Sequence, residues 1–476
     1  MKKNTIHISI LLSLGFLAGA CHKQLDVYPT TSEVDGNVIT DQQSAQTVLN
    51  GVYYKFANGG FDALGNPYTD WADINEAIPS QLADALTWYG YYSPITAFSF
   101  VPGTQGADSI WFYSYDVVNA ANGFIKNVAP VANIAAMAKR QMLAEAKFLR
   151  AFGNSQLLLY YAQYNDTASK YGIILRDTFV TSANVNLPRS SVAAAYSSIL
   201  SDLDSAIAGL PILNTAIYYA NASDAKLLKA RILMNRGVGT DYAQVISLTN
   251  DIISNGPFAL EDSLKDIFLT KGLNSSEVML GIQPYPNENY KFQVYISNIS
   301  YLATDSLVSL LTNDARSQWV VQYAYVPEIF DSAWLLTKYY PGDPNNPVQT
   351  QVTGYCYAFR LSEAYLLEAE AITLSNGDLN AAKALLTTVM SNAGASAQAF
   401  ANVANATTPA ALQLEIVKEN MRNFTCENGV DWLAFRRLPF ATMQLMNPYI
   451  QTQNQLIFPI PPAELHENNV FQNPGY

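Results

Sequence analysis

Histidine is nearly missing from this chain: there are three, and only His466 lies beyond the first 22 residues. With no second imidazole in the body of the protein, histidine-based catalysis has little to work with. His466-Glu467 begins a zinc-protease-like pattern, but Val470 stands where the second histidine belongs. No nucleophile elbow or glycine-rich phosphate loop occurs. Cysteine is as scarce. Besides Cys21 there are only Cys356 and Cys426, too few for a disulfide framework; they form either one bond or two buried thiols. Positive charge is short as well, with 27 Lys and Arg against 39 Asp and Glu. The resulting net charge of −12 repels a phosphate backbone, which argues against nucleic acid as a partner. Beyond the first 20 residues no apolar run reaches the roughly 18 that a spanning helix needs.

What is present begins at the N-terminus. Lys2 and Lys3 form a positive start, Ile8 to Phe16 a short apolar stretch, and Leu17-Ala18-Gly19-Ala20 a small-residue run ahead of Cys21. This reads as a secretory leader of the bacterial lipoprotein type, with residues 1–20 removed and Cys21 as the lipidation site; plain secretion with a free thiol is the competing reading. The pattern prefers a large aliphatic where Ala18 stands, one place after Leu17. Loss of Lys2 and Lys3 with the leader takes the net charge from −12 to −14. Two or more acyl chains, at about 0.8 kcal/mol per buried methylene, hold a protein on a membrane without a spanning helix. Residues 21–35 then form a lipidated tether.

Tyrosine is the compositional outlier, at 30 residues against 21 Phe and 6 Trp. Its flat ring with a polar rim suits both helix interfaces and stacking on sugars or peptides. Most periodic segments are helical. Ala144, Phe148, Ala151, Ser155 and Leu158 share one stripe and predict a helix over 141–161. Similar patterns cover 42–56, 108–127, 192–210, 222–236, 242–254, 360–374, 379–390 and 408–423, with Ser190 or Ser191 capping the fourth of these nine in chain order. Helices in succession with short links suggest stacked antiparallel pairs, although no strict 34-residue repeat is visible. Three stretches interrupt them: 58–106, 282–354 and 425–476, the last with six prolines. Long irregular segments on a helical scaffold are where binding surfaces are expected.

Several motifs in order carry a resemblance. They are Leu25-Asp26 with Pro29, Asn50-Gly51-Val52-Tyr53, the string Ala144 to Phe152, Leu187 to Tyr196 continuing to Leu210-Pro211, Arg360 to Leu366 with Ala369-Glu370-Ala371, and the ending Phe458 to Leu465 with Gln472 to Tyr476. Together they resemble the SusD/RagB family of outer-membrane nutrient-binding lipoproteins over nearly the whole mature chain. One departure stands out. Where the family has an Arg just before its Trp and an Asp two after, Asp431 and Ala434 flank Trp432, which puts the ion pairing of Arg436 and Arg437 in question.

The resemblance implies a mostly all-α fold: four tetratricopeptide-like helix pairs forming a superhelical scaffold, with a long irregular ligand face. It divides the chain into a SusD-like N-terminal region, 36–225, and a SusD/RagB C-terminal region, 226–476, packed as one body. It further implies a lipid-anchored protein on the extracellular side of the outer membrane, capping a SusC-like TonB-dependent transporter and handing it glycans or, in one branch, peptides. Such proteins bind and do not catalyse; no cofactor and no metal-ligating residues are expected, and the sequence leaves open a structural metal ion in a loop. A capping scaffold with little ligand affinity, and a lipid-anchored hydrolase using paired carboxylates, are the competing readings.

Charged residues in the motif helices, Glu145, Arg150, Arg360, Glu363 and Glu370, are expected to pair helices, not to touch ligand. The ligand candidates are aromatics of the irregular stretches and the polar groups beside them. Trp71, Asp84, Trp88, Tyr89, Tyr91 and Tyr92 come from the first stretch; Tyr285, Asn287, Tyr290, Trp319, Trp334, Tyr339 and Tyr340 from the second. A ring offers a pyranose its apolar face, and a neighbouring Asn or Asp takes the hydroxyls. The prolines of the last stretch and Tyr476 are expected to pin the C-terminus.

Overall fold

A computed structural model describes residues 38–62, 64–90 and 92–476. Cys21, the leader, the whole tether and Tyr91 lie outside them. Helices begin where the sequence provides caps. Asp41 accepts the Ser44 amide at 2.8 Å and completes the capping box that starts α1 (Gln42–Phe56). Next come α2 (Ser109–Val128) and α3 (Ala136–Tyr161). The latter begins at Ala136 instead of Gln141, its first turn tied down by Lys139, whose Nζ donates to the Ala129 carbonyl at 3.0 Å. Ser191 caps α4 (Val192–Gly209) by accepting the Ala194 amide at 3.2 Å. An Asn221 capping box opens α5 (Ala222–Arg236), and Gly237, at φ +60°, closes it.

The array continues with α6 (Asp241–Asn255), α7 (Leu361–Leu374), α8 (Leu379–Ala393), α9 (Ala397–Asn405) and α10 (Pro409–Asn423). Only Ala399 and Val403 of α9 are buried, too sparse a stripe to be seen in sequence. Each helix from α1 to α8 packs on the next, giving four successive pairs, and α10 closes the array against α7 and α8. At Gly153 in α3 an added Cβ would stand 2.8 Å from the Ser114 carbonyl, so glycine sets the close approach of α2. The expected tetratricopeptide-like, mostly helical architecture is what the chain adopts. No described helix is long and apolar enough to cross a membrane.

The first two irregular stretches, with the residues flanking the second, carry antiparallel two-stranded ribbons. Strand β1 (Gly59–Phe61) pairs with β2 (Pro67–Thr69), β3 (Leu86–Trp88) with β5 (Tyr301–Ala303), β4 (Val278–Ile282) with β8 (Cys356–Arg360), and β6 (Val321–Val326) with β7 (Asp331–Leu336). The largest apolar cluster draws on residues from Ile39 to Ile460, and a second, around Phe268, Tyr295 and Tyr339, supports the ribbons.

Charged residues of the motif helices cross-brace the scaffold. Arg150 forks onto Asp202 at 2.7 Å, Arg231 onto Glu363 at 2.6 and 2.7 Å, and Arg437 reaches Glu370 at 2.5 Å. Arg360 joins Glu277 and Glu427, both at 2.6 Å, in full burial. Arg436 shows the consequence of Ala434. It has no carboxylate, stacks 3.8 Å over the Tyr164 ring and donates to the Leu159 carbonyl, while Asp431 turns to Ser80. Burial without a counter-charge pulls this guanidinium below its ordinary pKa. Cys356 and Cys426 are both free and buried. The chain end is pinned, with the Asn473 amide donating to the Tyr161 and Phe458 carbonyls at 2.8 Å and the Tyr476 hydroxyl to Ile457 at 2.8 Å.

Candidate ligand-binding site

The first two irregular stretches meet because β3 of one pairs with β5 of the other. In that ribbon Trp88 lies opposite Tyr301, their rings edge to face with centroids 5.7 Å apart, and Tyr89 adds a ring 5.0 Å from Trp88. Trp88 remains 40% exposed, enough indole to stack on a ligand. A Cβ at Gly90 would fall 2.5 Å from the indole nitrogen, so this glycine lets the ring fold back over the chain.

Behind Trp88 lies a pair of acids on one turn. The Tyr301 hydroxyl donates to Asp73, and the Tyr290 hydroxyl is the hydrogen-bonding neighbour of Asp70. Tyr290 in turn packs against Tyr68 at 5.0 Å. Burial, and then the charge of Asp73, push the Asp70 carboxyl up to about 8; burial raises Asp73 too. Two neighbouring carboxyls away from water hold a proton between them more readily than two charges.

Beyond Tyr290, on the same loop, a cleft of about 710 Å³ opens. Tyr218, Tyr219, Tyr285 and Tyr355 supply its rings, and Asn50, Asn287 and Gln349 supply amides. Tyr285 meets Tyr54 at 6.2 Å; Tyr219 packs 4.9 Å from Tyr53 and donates its hydroxyl to Asn50 at 3.0 Å. Asn287, at φ +64°, stands exposed at the rim. Glu288 knots the wall together. One carboxylate oxygen accepts the Thr69 amide at 2.6 Å and its hydroxyl at 2.7 Å, the other the Tyr285 amide at 2.8 Å. The size is that of a small-ligand site, and rings alternating with amides match the apolar faces and hydroxyls of a sugar.

The expected residues divide accordingly. Tyr285 and Asn287 line the cleft, Tyr290 joins it to the acid pair, and Trp88 and Tyr89 form the outer ribbon. Trp71 is a correction: it is fully buried between Phe56, at 5.1 Å, and Phe152, at 6.0 Å, and belongs to the core. Trp319 is another, stacked on Phe268 at 6.0 Å with only 9% exposed, and Tyr339 and Tyr340 are buried in the same cluster. Asp84, at φ +55°, is taken up by Ser306, whose hydroxyl donates to it at 2.5 Å. Tyr92 is exposed with its hydroxyl on Ser99. Trp334 sits on the β6–β7 hairpin, 5.3 Å from Tyr323.

Sequence reasoning missed Tyr218, Tyr219, Tyr355 and Gln349. The adjacent tyrosines at 218–219, in a charge-free link after Pro211, were the available signal. It also missed Tyr323 and Tyr325, exposed on the same face of β6, where alternation over 321–326 was readable.

No family model and no curated protein matches the chain. Solved structures do. A SusD superfamily protein from Bacteroides thetaiotaomicron is similar with a TM-score of 0.73 and 19% identity, over 91% of this chain and 100% of that one. The chain has the SusD fold. A laminarin-binding SusD-like protein matches with a TM-score of 0.69 and 19% identity over 92% of this chain and all of its own. NanU of B. fragilis matches at 0.71 and 17%, over 94% of this chain and 100% of that one. The helix pairs and the ribbons between them are this fold as the chain builds it.

Proposed function

We propose that this SusD-fold protein captures oligosaccharides in the Tyr285 cleft, with Trp88 as an outer stacking platform, and passes them uncleaved to a SusC-like TonB-dependent transporter. The observation that carries this reading is the cleft of about 710 Å³ walled by tyrosine rings and side-chain amides on a braced helical scaffold. Stacking and hydroxyl hydrogen bonds supply affinity without any bond being broken. The laminarin-binding neighbour of the same fold lends support. So does His466, the one histidine of the body, which is exposed beside Glu467 and not on the cleft wall. The leader motif ending at Cys21 supports a lipid anchor at the outer membrane with the body facing outward.

Glycan-array screening of the purified protein, with pull-down of the transporter from outer membranes, tests the reading. Binding to a defined set of oligosaccharides together with transporter capture is the expected result. Transporter capture with no glycan bound contradicts it and leaves a capping scaffold.

A further inference from the structure

Charge is distributed unevenly around this cleft. No Lys or Arg occurs between Lys55 and Lys126, so the whole first irregular stretch is free of cations. The second stretch holds three, Lys291, Arg316 and Lys338, exposed by 3%, 0% and 1%. Each is locked onto the chain's own carboxylates: Lys291 on Glu76 at 2.9 Å, Arg316 on Asp314 at 2.8 Å and Glu419 at 2.7 Å, Lys338 on Glu427 at 2.5 Å. None is left to meet a ligand.

The cleft wall repeats the pattern. Besides its tyrosines and Thr350, its uncharged polar side chains are amides, Asn50, Gln283, Asn287, Gln349 and Gln351, which both donate and accept as hydroxyls require. Its one carboxylate, Glu288, has both oxygens occupied by Thr69 and Tyr285 and offers no seat for an ammonium group. Three other surface clefts, of about 880, 540 and 400 Å³, have Arg236, Arg176 and Arg140 on their walls. Among the described residues the missing cation is therefore a property of this cleft, not of the acidic surface at large.

From this we infer that the cleft selects uncharged glycans and turns away those bearing uronic acid, sulfate or sialic acid. The inference rests on the glycan-binding reading above and narrows it. An anionic sugar is held most strongly by a guanidinium or ammonium partner, and with neutral donors alone the cost of desolvating its charge is offset less fully than that of a hydroxyl. The net charge of −12 adds repulsion before contact.

The test is an array of neutral and anionic glycans, then calorimetry on a matched pair: the strongest neutral oligosaccharide and the same chain oxidised at C6 to the uronic acid. The oxidised form is expected to bind at least about tenfold more weakly. Affinity for the neutral form is expected to be insensitive to salt, and Gln351→Lys to narrow the gap between the two. Equal affinity for both forms, lost in Tyr285→Ala, overturns the inference and leaves glycan binding intact. Binding of no glycan at all overturns both.

Discussion

The Tyr301 ring meets the Trp88 indole edge-on at 5.7 Å while its hydroxyl holds the Asp73 carboxylate, so a half-exposed tryptophan is braced from behind by a buried acid. The two ends of Tyr301 have separable roles. Trp88→Ala removes the platform and is expected to weaken oligosaccharide binding by about 1 to 2 kcal/mol with little change in melting temperature. Tyr301→Phe keeps the ring, and is expected to leave affinity within about twofold while costing about 1 to 2 kcal/mol of stability. Calorimetry and thermal unfolding on the two variants separate these effects.

The Asp70–Asp73 pair gives a pH dependence of stability. Asp70 is held at about 8 in the folded chain against an ordinary 3.8. The folded state therefore binds more protons than the unfolded one between these values, and stability falls as pH rises through that window and levels off above it. Asp70→Asn cannot ionise and is expected to flatten the decline. Melting temperatures taken from about pH 5 to about pH 8.5 check this; parallel curves for the two proteins contradict it.

Arg360 neutralises Glu277 and Glu427 where no water reaches them. Arg360→Ala leaves Glu277 without a cation and Glu427 with Lys338 alone, and is expected to cost about 3 to 5 kcal/mol in denaturant unfolding, far more than the same change at exposed Lys271.

If Cys21 is acylated, Cys21→Ser is expected to abolish metabolic labelling with palmitate and release the protein from the membrane fraction. Labelling that persists in the variant contradicts the anchor.

The scaffold was largely legible because its signals are local. Asp41, Ser191 and the stripe from Ala144 to Leu158 each specify an element within a few residues. The missing Asp at position 434 was legible too, and its result is Arg436 stacked on Tyr164 with no carboxylate. The ligand face was only half readable. Trp71 and Trp88 look alike in a loop rich in turns, and only the distant Phe56 and Phe152 bury the first while β5 props up the second. Pairing of Leu86 with Ala303 leaves no trace at either position. The cleft likewise gathers Asn50, Tyr218, Tyr285 and Gln349 from four separate parts of the chain.

Calorimetric titration of the strongest oligosaccharide found on the array into the wild-type protein and into the Trp88→Ala, Tyr285→Ala double variant tests the placement of the site most directly. The account predicts measurable binding by the wild type and its loss in the variant, with both proteins showing the same helical circular dichroism. Unchanged affinity in a folded double variant contradicts it.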